Sequence, residues 1–203
     1  DRSIRAIYPL CHRIFIMDDG STDGTQEICR GFRNVVVLES PFETLDERRD
    51  KNWLYDQILG WPDYQPGRYG VSWPEWILAI DGDEVLDRND VTKLFSLMND
   101  SPASVTALRL RIIYLWNDEE HRRVDGVYRQ FSRPSVFRII NPAFRFQSTP
   151  WGNGANFHCS SIPQELLHLA SETDVRLNHL GYRDRDDRLR KWEYYNRLDG
   201  KNP

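Results

Sequence analysis

Short apolar runs alternate with helical patterns through the first half of the chain. Arg13-Ile14-Phe15-Ile16-Met17 reads as a strand and stops in a polar turn, Asp18-Asp19-Gly20-Ser21-Thr22-Asp23-Gly24-Thr25. The pattern then predicts a helix to about Phe32, with Asp23 as N-cap, since a short side-chain oxygen there satisfies a free backbone N–H of the first turn. Val35-Val36-Val37-Leu38 is a second buried strand, and residues 44–59 predict a helix with Leu54 and Ile58 on its apolar side. A loop rich in Pro, Gly and aromatic residues leads to the run Trp76-Ile77-Leu78-Ala79-Ile80, a third strand, which ends in Asp81-Gly82-Asp83-Glu84. Strands and helices alternating in this order predict βαβ units, hence an α/β fold built on a mixed, mostly parallel sheet flanked by helices.

The second half changes character. Residues 90–98 read as a helix, and 105–116 alternate apolar residues with Arg109 and Arg111 as a half-buried strand. Val136–Ile140 and Phe144–Phe146 look like short antiparallel additions, separated by Pro134 and Pro142. Residues 175–180 suggest another strand, and 185–198 a helix with Leu189, Trp192, Tyr195 and Leu198 at helical spacing. With no repeat and no linker in view, the expected organisation is one domain over 1–203.

Composition narrows the partners. A chain of 203 residues with 39% hydrophobic content can bury a core, and a formal net charge of −4 argues against a general nucleic-acid binder. No apolar run approaches the ~20 residues of a membrane span. Nothing at the start reads as a secretory segment, and the cysteines, three in number, lack metal-ligand spacing. Reduced thiols and a cytoplasmic location are therefore expected.

The acidic turns carry the chemistry. Asp81 and Asp83 project to one side of an extended segment, with Gly82 leaving space between them, at the strand end where open α/β sheets bind ligands. Such carboxylates repel unless a cation joins them, and a hard divalent ion bridging both to a phosphate is the natural partner. Taken alone, the same turn equally suits a solvated loop or the cap of the following helix. Asp18-Asp19 ends an earlier strand on the same expected edge, where a carboxylate can accept a hydrogen bond from a base imide or a ribose hydroxyl. Together the turns describe a nucleotide-diphosphate site. A calcium loop fails at both, because the twelfth residue from Asp19 is Arg30 and from Asp81 is Thr92.

Phe15 to Thr25 followed by Trp76 to Leu86 resembles family-two glycosyltransferases of the GT-A fold. His179-Leu180-Gly181-Tyr182, followed by Arg185, Arg188, Lys191 and Tyr194, is similar to the C-terminal His and basic helix of one branch of that family. The resemblance implies a nucleotide-binding half over 1–100 and an acceptor-side half over 101–203. It also implies an inverting enzyme that uses a nucleotide sugar, commonly a UDP-sugar, with manganese or magnesium. By resemblance Asp19 contacts the base, Asp81 the ribose or metal, Asp83 the metal, and His179 completes the metal shell. Asp18 joins the nucleotide site, and Arg185, Arg188 and Lys191, three apart, would form one basic face suited to pyrophosphate. The acceptor would be a saccharide, a lipid-linked carrier or a protein. Its hydroxyl needs a base, for which Glu120 in the Asp118-Glu119-Glu120 cluster, His158 and Glu84 are the candidates. Trp73, Trp116 and Trp151 could stack on a sugar. The family normally begins with a strand ending near an Asn-Glu pair, and here the chain opens in a helix over about Arg2–Leu10. That strand is expected to be missing, leaving an exposed neighbouring edge and an incomplete pocket. Two other readings remain: a sugar-phosphate nucleotidyltransferase, although the Asp18–Thr25 turn holds no Lys or Arg, and a non-catalytic nucleotide-sugar-binding remnant.

Overall fold

The computed structural model describes residues 1–62, 75–149 and 159–198. Strands β1 (Ile14–Asp18) and β2 (Val35–Glu39) pair in parallel from Ile14 opposite Val35 to Asp18 opposite Glu39. Helix α2 (Thr25–Arg30) connects them. Its N-cap is Gly24, at φ 81°, one residue later than the sequence suggests. Asp23 still shapes the entry, because its Oδ1 accepts from the Thr25 N–H at 3.1 Å and the Thr25 hydroxyl at 2.6 Å. The left-handed turn then falls on the residue that adopts it without a Cβ clash.

The larger sheet has the order β3-β6-β5-β7-β4. Its members are β3 (Trp76–Leu78), β4 (Glu84–Leu86), β5 (Ala107–Tyr114), β6 (Ser132–Arg138) and β7 (Ala170–His179). Only β5 and β7 run parallel, whereas β3–β6, β5–β6 and β4–β7 are antiparallel. The expectation of a mostly parallel sheet is therefore corrected to a mixed one. Two folding choices produce this. The late strand β6 inserts between β3 and β5, and the acidic turn reverses the chain so that β4 lies back on β7. β6 also runs through Pro134 rather than stopping at it. The register against β5 shifts there, with Leu108 opposite Val136 and Arg109 opposite Pro134, so the intervening Ser135 is bulged. A residue without an N–H is tolerated where the ladder is already interrupted. Phe144–Phe146 forms no strand. It is held by Asn52, whose side chain donates to the Phe146 carbonyl at 2.9 Å and accepts from the Phe146 N–H at 3.0 Å.

Helix α1 (Arg2–Ile7) is shorter than its apolar pattern suggests, and α3 (Glu47–Leu59) starts where Asp46 accepts from the Arg49 N–H at 2.9 Å. Alternation along β5 separates two cores. Leu108, Leu110 and Ile112 pack with Ile4, Leu86, Leu94 of α4 (Val91–Asp100), Val175 and Leu177. On the other face Ala107 and Phe137 meet Tyr55, Phe146, Ile162 and Leu166. Tyr55, Phe137 and Phe146 meet edge to face with ring centroids 6.0–6.1 Å apart, and so hold α3 on the sheet. Arg109 and Arg111 keep their heads at the strand's other face, on the Ser132 and Arg129 carbonyls. Among the described residues no strand joins the two sheets, and no helix is long and apolar enough to cross a membrane.

Candidate active site

The acidic turn is built by hydrogen bonds within itself and to two distant segments, α1 and the end of β7. The Glu84 N–H donates to the Asp81 carbonyl at 3.0 Å, and Glu84 Oε2 accepts from the Asp81 N–H at 2.9 Å, closing the turn from both ends. The Ser3 hydroxyl donates to the Gly82 carbonyl at 2.8 Å, and the Leu180 N–H to the Asp83 carbonyl at 2.8 Å. Pairing of Glu84 with His179 across β4 and β7 then sets the turn beside the end of β7. Two motifs far apart in sequence meet here because one short strand lies on one long one.

Arg133 of β6 divides the carboxylates. Its Nη2 donates to Glu84 Oε2 at 2.6 Å and its Nη1 to Asp81 Oδ2 at 3.3 Å. The Glu84 side chain is 0% exposed against 52% for Asp81, and Glu84 Oε1 has no hydrogen-bond partner. Burial pushes the Glu84 carboxyl above its ordinary value despite Arg133, since an enclosed charge loses its hydration. Burial would raise Asp81 as well, but Arg133 and then Lys51 hold it below the ordinary range. Lys51 of α3 is itself pulled down by burial and held up, on balance, by Asp81, Cys159 and Glu47. Asp81 is thus the charged, accessible member and Glu84 the enclosed one. The enclosed Glu84 carboxylate is turned inward, onto the Asp81 N–H and Arg133.

Asp83 has different partners. Lys191 Nζ of α5 (Arg185–Leu198) donates to its Oδ2 at 2.6 Å, and His179 Nε2 lies 3.8 Å from the same oxygen. The Gly181 N–H donates to His179 Nδ1 at 3.2 Å, so in the neutral ring the proton sits on Nε2 and faces Asp83. Burial lowers the His179 pKa, outweighing the opposing pull of Asp83, and keeps the ring neutral near pH 7. Tyr182 stacks on the imidazole at 5.4 Å, and Tyr114 covers it at 4.9 Å. Gly181 permits this packing. A Cβ there would fall far inside contact distance of Lys191 Nζ and Asp83 Oδ2, and 2.7 Å from His179 Cε1.

The donor set tests the expected manganese or magnesium. Asp81 is engaged by Arg133, Asp83 by Lys191, and His179 Nε2 carries a proton where a ligand needs a lone pair. Among the described residues no group of three or more His, Cys, Asp or Glu side chains is arranged to hold a metal. In this arrangement the residues do not fit the ion, and no step is derived through it.

The other expected residues are placed unevenly. Asp18 is buried and anchors its own turn, accepting from the Ser21 N–H at 3.0 Å and from Gln26 Nε2 at 2.7 Å, while Asp19 is exposed. Of the three-apart basic residues, only Lys191 lines the cleft beside Asp83. Arg188 turns to the Tyr182 carbonyl at 2.6 Å and to Asn117 at 2.9 Å, and Arg185 is exposed. The cleft, of about 530 Å³, takes Arg2, Arg183 and Arg190 in their place. Glu120 is exposed on the loop after β5, and its neighbour Glu119 pairs with Arg2 and, at 3.1 Å, with Arg183. Trp116 lies under Arg188, 4.3 Å from its centroid. His158, Trp73 and Trp151 lie outside the described residues. Arg133 and Lys51 were absent from the sequence expectation, because a single basic residue in a strand or on a helix has no local signature.

No protein-family model matches the chain. It is similar to uncharacterized proteins of Mycobacterium bovis and Mycobacterium tuberculosis, each 22% identical over 189 residues that cover 92% of this chain. The chain spans 44% of the length of these curated relatives.

Proposed function

We propose that this chain transfers a sugar from a nucleotide-diphosphate sugar, with UDP-sugars as the donor class, to an acceptor hydroxyl. The observation that carries the reading is the meeting of Asp83 with His179 and Lys191 over Gly181, beside an Asp81 kept charged by Arg133 and Lys51. A charged, half-exposed carboxylate suits ribose hydroxyls, and a neighbouring ammonium suits a diphosphate, so the site presents complementary groups for both parts of a nucleotide. The leaving group is the harder requirement. Charge that builds on the departing phosphate oxygen needs fixed donors, and Lys191 with Arg183 and Arg190 lines the cleft where those donors are wanted. His179, neutral and packed against Tyr182 and Tyr114, positions Asp83 for this work. Glu84 does the same for Asp81 from behind.

Titration with UDP, followed by calorimetry, tests the reading. Micromolar to sub-millimolar affinity, lost in Asp81→Ala, and release of UDP from a panel of UDP-sugars with an acceptor are expected. Failure of UDP, GDP and TDP all to bind at millimolar concentration overturns it.

A further inference from the structure

We propose that the Lys191 ammonium is the resident cation of the acidic turn, and that the site neutralises a leaving diphosphate with this amine rather than with a divalent ion. The inference deepens the transferase reading and, for its catalytic half, rests on it. Lys191 reaches Asp83 from 108 residues away in sequence and takes the same Oδ2 that faces His179. Amine, carboxylate and imidazole converge on Gly181, where a Cβ would force at least one of these side-chain ends to shift. A site shaped to receive an ammonium this closely has its cation supplied by the fold. Asp81 Oδ2 faces Arg133, whose other arm holds the enclosed Glu84. The Lys191 and Asp83 side chains are 37% and 32% exposed, so the ammonium borders the cleft. An ammonium carries one charge where a divalent ion carries two; Arg183 and Arg190 line the same cleft, paired with Asp184 and Glu119 and with Asp187, and can turn to a diphosphate only by exchanging those partners.

The transfer balances without a metal. The acceptor oxygen bonds to the anomeric carbon, the bond from that carbon to the diphosphate oxygen breaks with its electron pair on the phosphate, and the acceptor proton passes to solvent. Lys191 keeps its proton and lends a hydrogen bond to the departing oxygen.

Two independent measurements on the full chain test this. Manganese alone is followed by the electron-spin signal of the free ion. Wild type is expected to leave it free at millimolar concentration, and Lys191→Ala, confirmed folded by circular dichroism, to take it up. UDP affinity is then measured in EDTA. It is expected to match that in manganese for wild type, to fall about tenfold or more in Lys191→Ala, and to be largely kept in Lys191→Arg. Uptake of manganese by wild type, a rise of about tenfold in its UDP affinity with the ion, or a Lys191→Ala protein unchanged in both assays overturns the proposal. Should Lys191→Ala fail to fold, the wild-type arms decide. Absence of UDP binding under every condition defeats the transferase reading instead, and the manganese arm still decides which cation Asp83 holds.

Discussion

Gly181 is the residue on which the site's geometry turns. Its hydrogen is all that separates the backbone from Lys191, Asp83 and His179, so Gly181→Ala must displace at least one of them. Lys191 is the flexible member and can retreat, whereas His179, stacked on Tyr182 with Tyr114 also against it, has less room. The expected result is a modest stability loss, about 1–2 kcal/mol by urea denaturation, within the usual range for overpacking. UDP affinity should fall as far as in Lys191→Ala. A fully stable Gly181→Ala protein that binds UDP as wild type does would show that the close approach is unimportant. Residue-scale legibility was uneven for a physical reason. Asp81, Asp83 and His179 stood out because carboxylates after an apolar run and a His at a strand end break a pattern. Arg133 follows no broken pattern, and its role appears only when β6 brings it under the acidic turn, 49 residues from Glu84 in sequence.

At the scale of elements, the join between α4 and β7 adds charge to the apolar contact of Leu94 with the core of Val175 and Leu177. Asp90, which enters α4, accepts from the Arg176 backbone N–H at 2.8 Å and from its Nε at 2.7 Å, and Asp87 takes Nη2 at 3.2 Å. Burial would raise Asp90, but these hydrogen bonds and the guanidinium charge hold it below the ordinary carboxylate range. Because its folded pKa is depressed, its contribution to stability is whole above the unfolded value of about 3.9 and is lost as pH falls through the folded value. Asp90→Asn is therefore expected to cost about 2 kcal/mol near neutrality and to flatten the acid limb of the stability profile below about pH 4. That cost lies under the ~3–5 kcal/mol of a fully enclosed pair, because Arg176 is partly exposed and water can take up its freed donors. Thermal melts from pH 2.5 to 7 check both parts, and parallel acid limbs in the two proteins would remove Asp90 from the account. The elements themselves were legible where periodicity ran long enough: β1, β2, β5, α3 and α5 fall near their expected places. β4 escaped because it offers only Val85 and Leu86 after three carboxylates. β6 was cut short because Pro134 ordinarily ends a strand, and nothing local announces the bulge that accommodates it.

Across the whole molecule, among the described residues, the sheet comes in two unequal pieces, joined by helices and by the apolar core that Ile14 of β1 shares with Leu108 and Leu110 of β5. Two paired strands form one piece among the described residues and five the other, and α3 touches both, through packing on β1 and through Tyr55 on Phe137. The large sheet has a core on each face of β5. The small one adds Ile14, with Ile16, Val35 and Val37 beside it, to one of these cores and otherwise has a single parallel pairing, so amides of β1 and β2 are expected to exchange with solvent through openings of lower free energy than those of β5, β6 and β7. Hydrogen exchange read by mass spectrometry checks the order, and equal protection across the two sheets would refute it.

That division gives a bound nucleotide a mechanical part to play. A ligand gripping both the Asp18–Thr25 turn on the small sheet and the Asp81–Glu84 turn on the large one would act as a splint across the seam. Its arrival would then be recorded as slowed exchange in β1 and β2, on strands that carry few of the groups it touches.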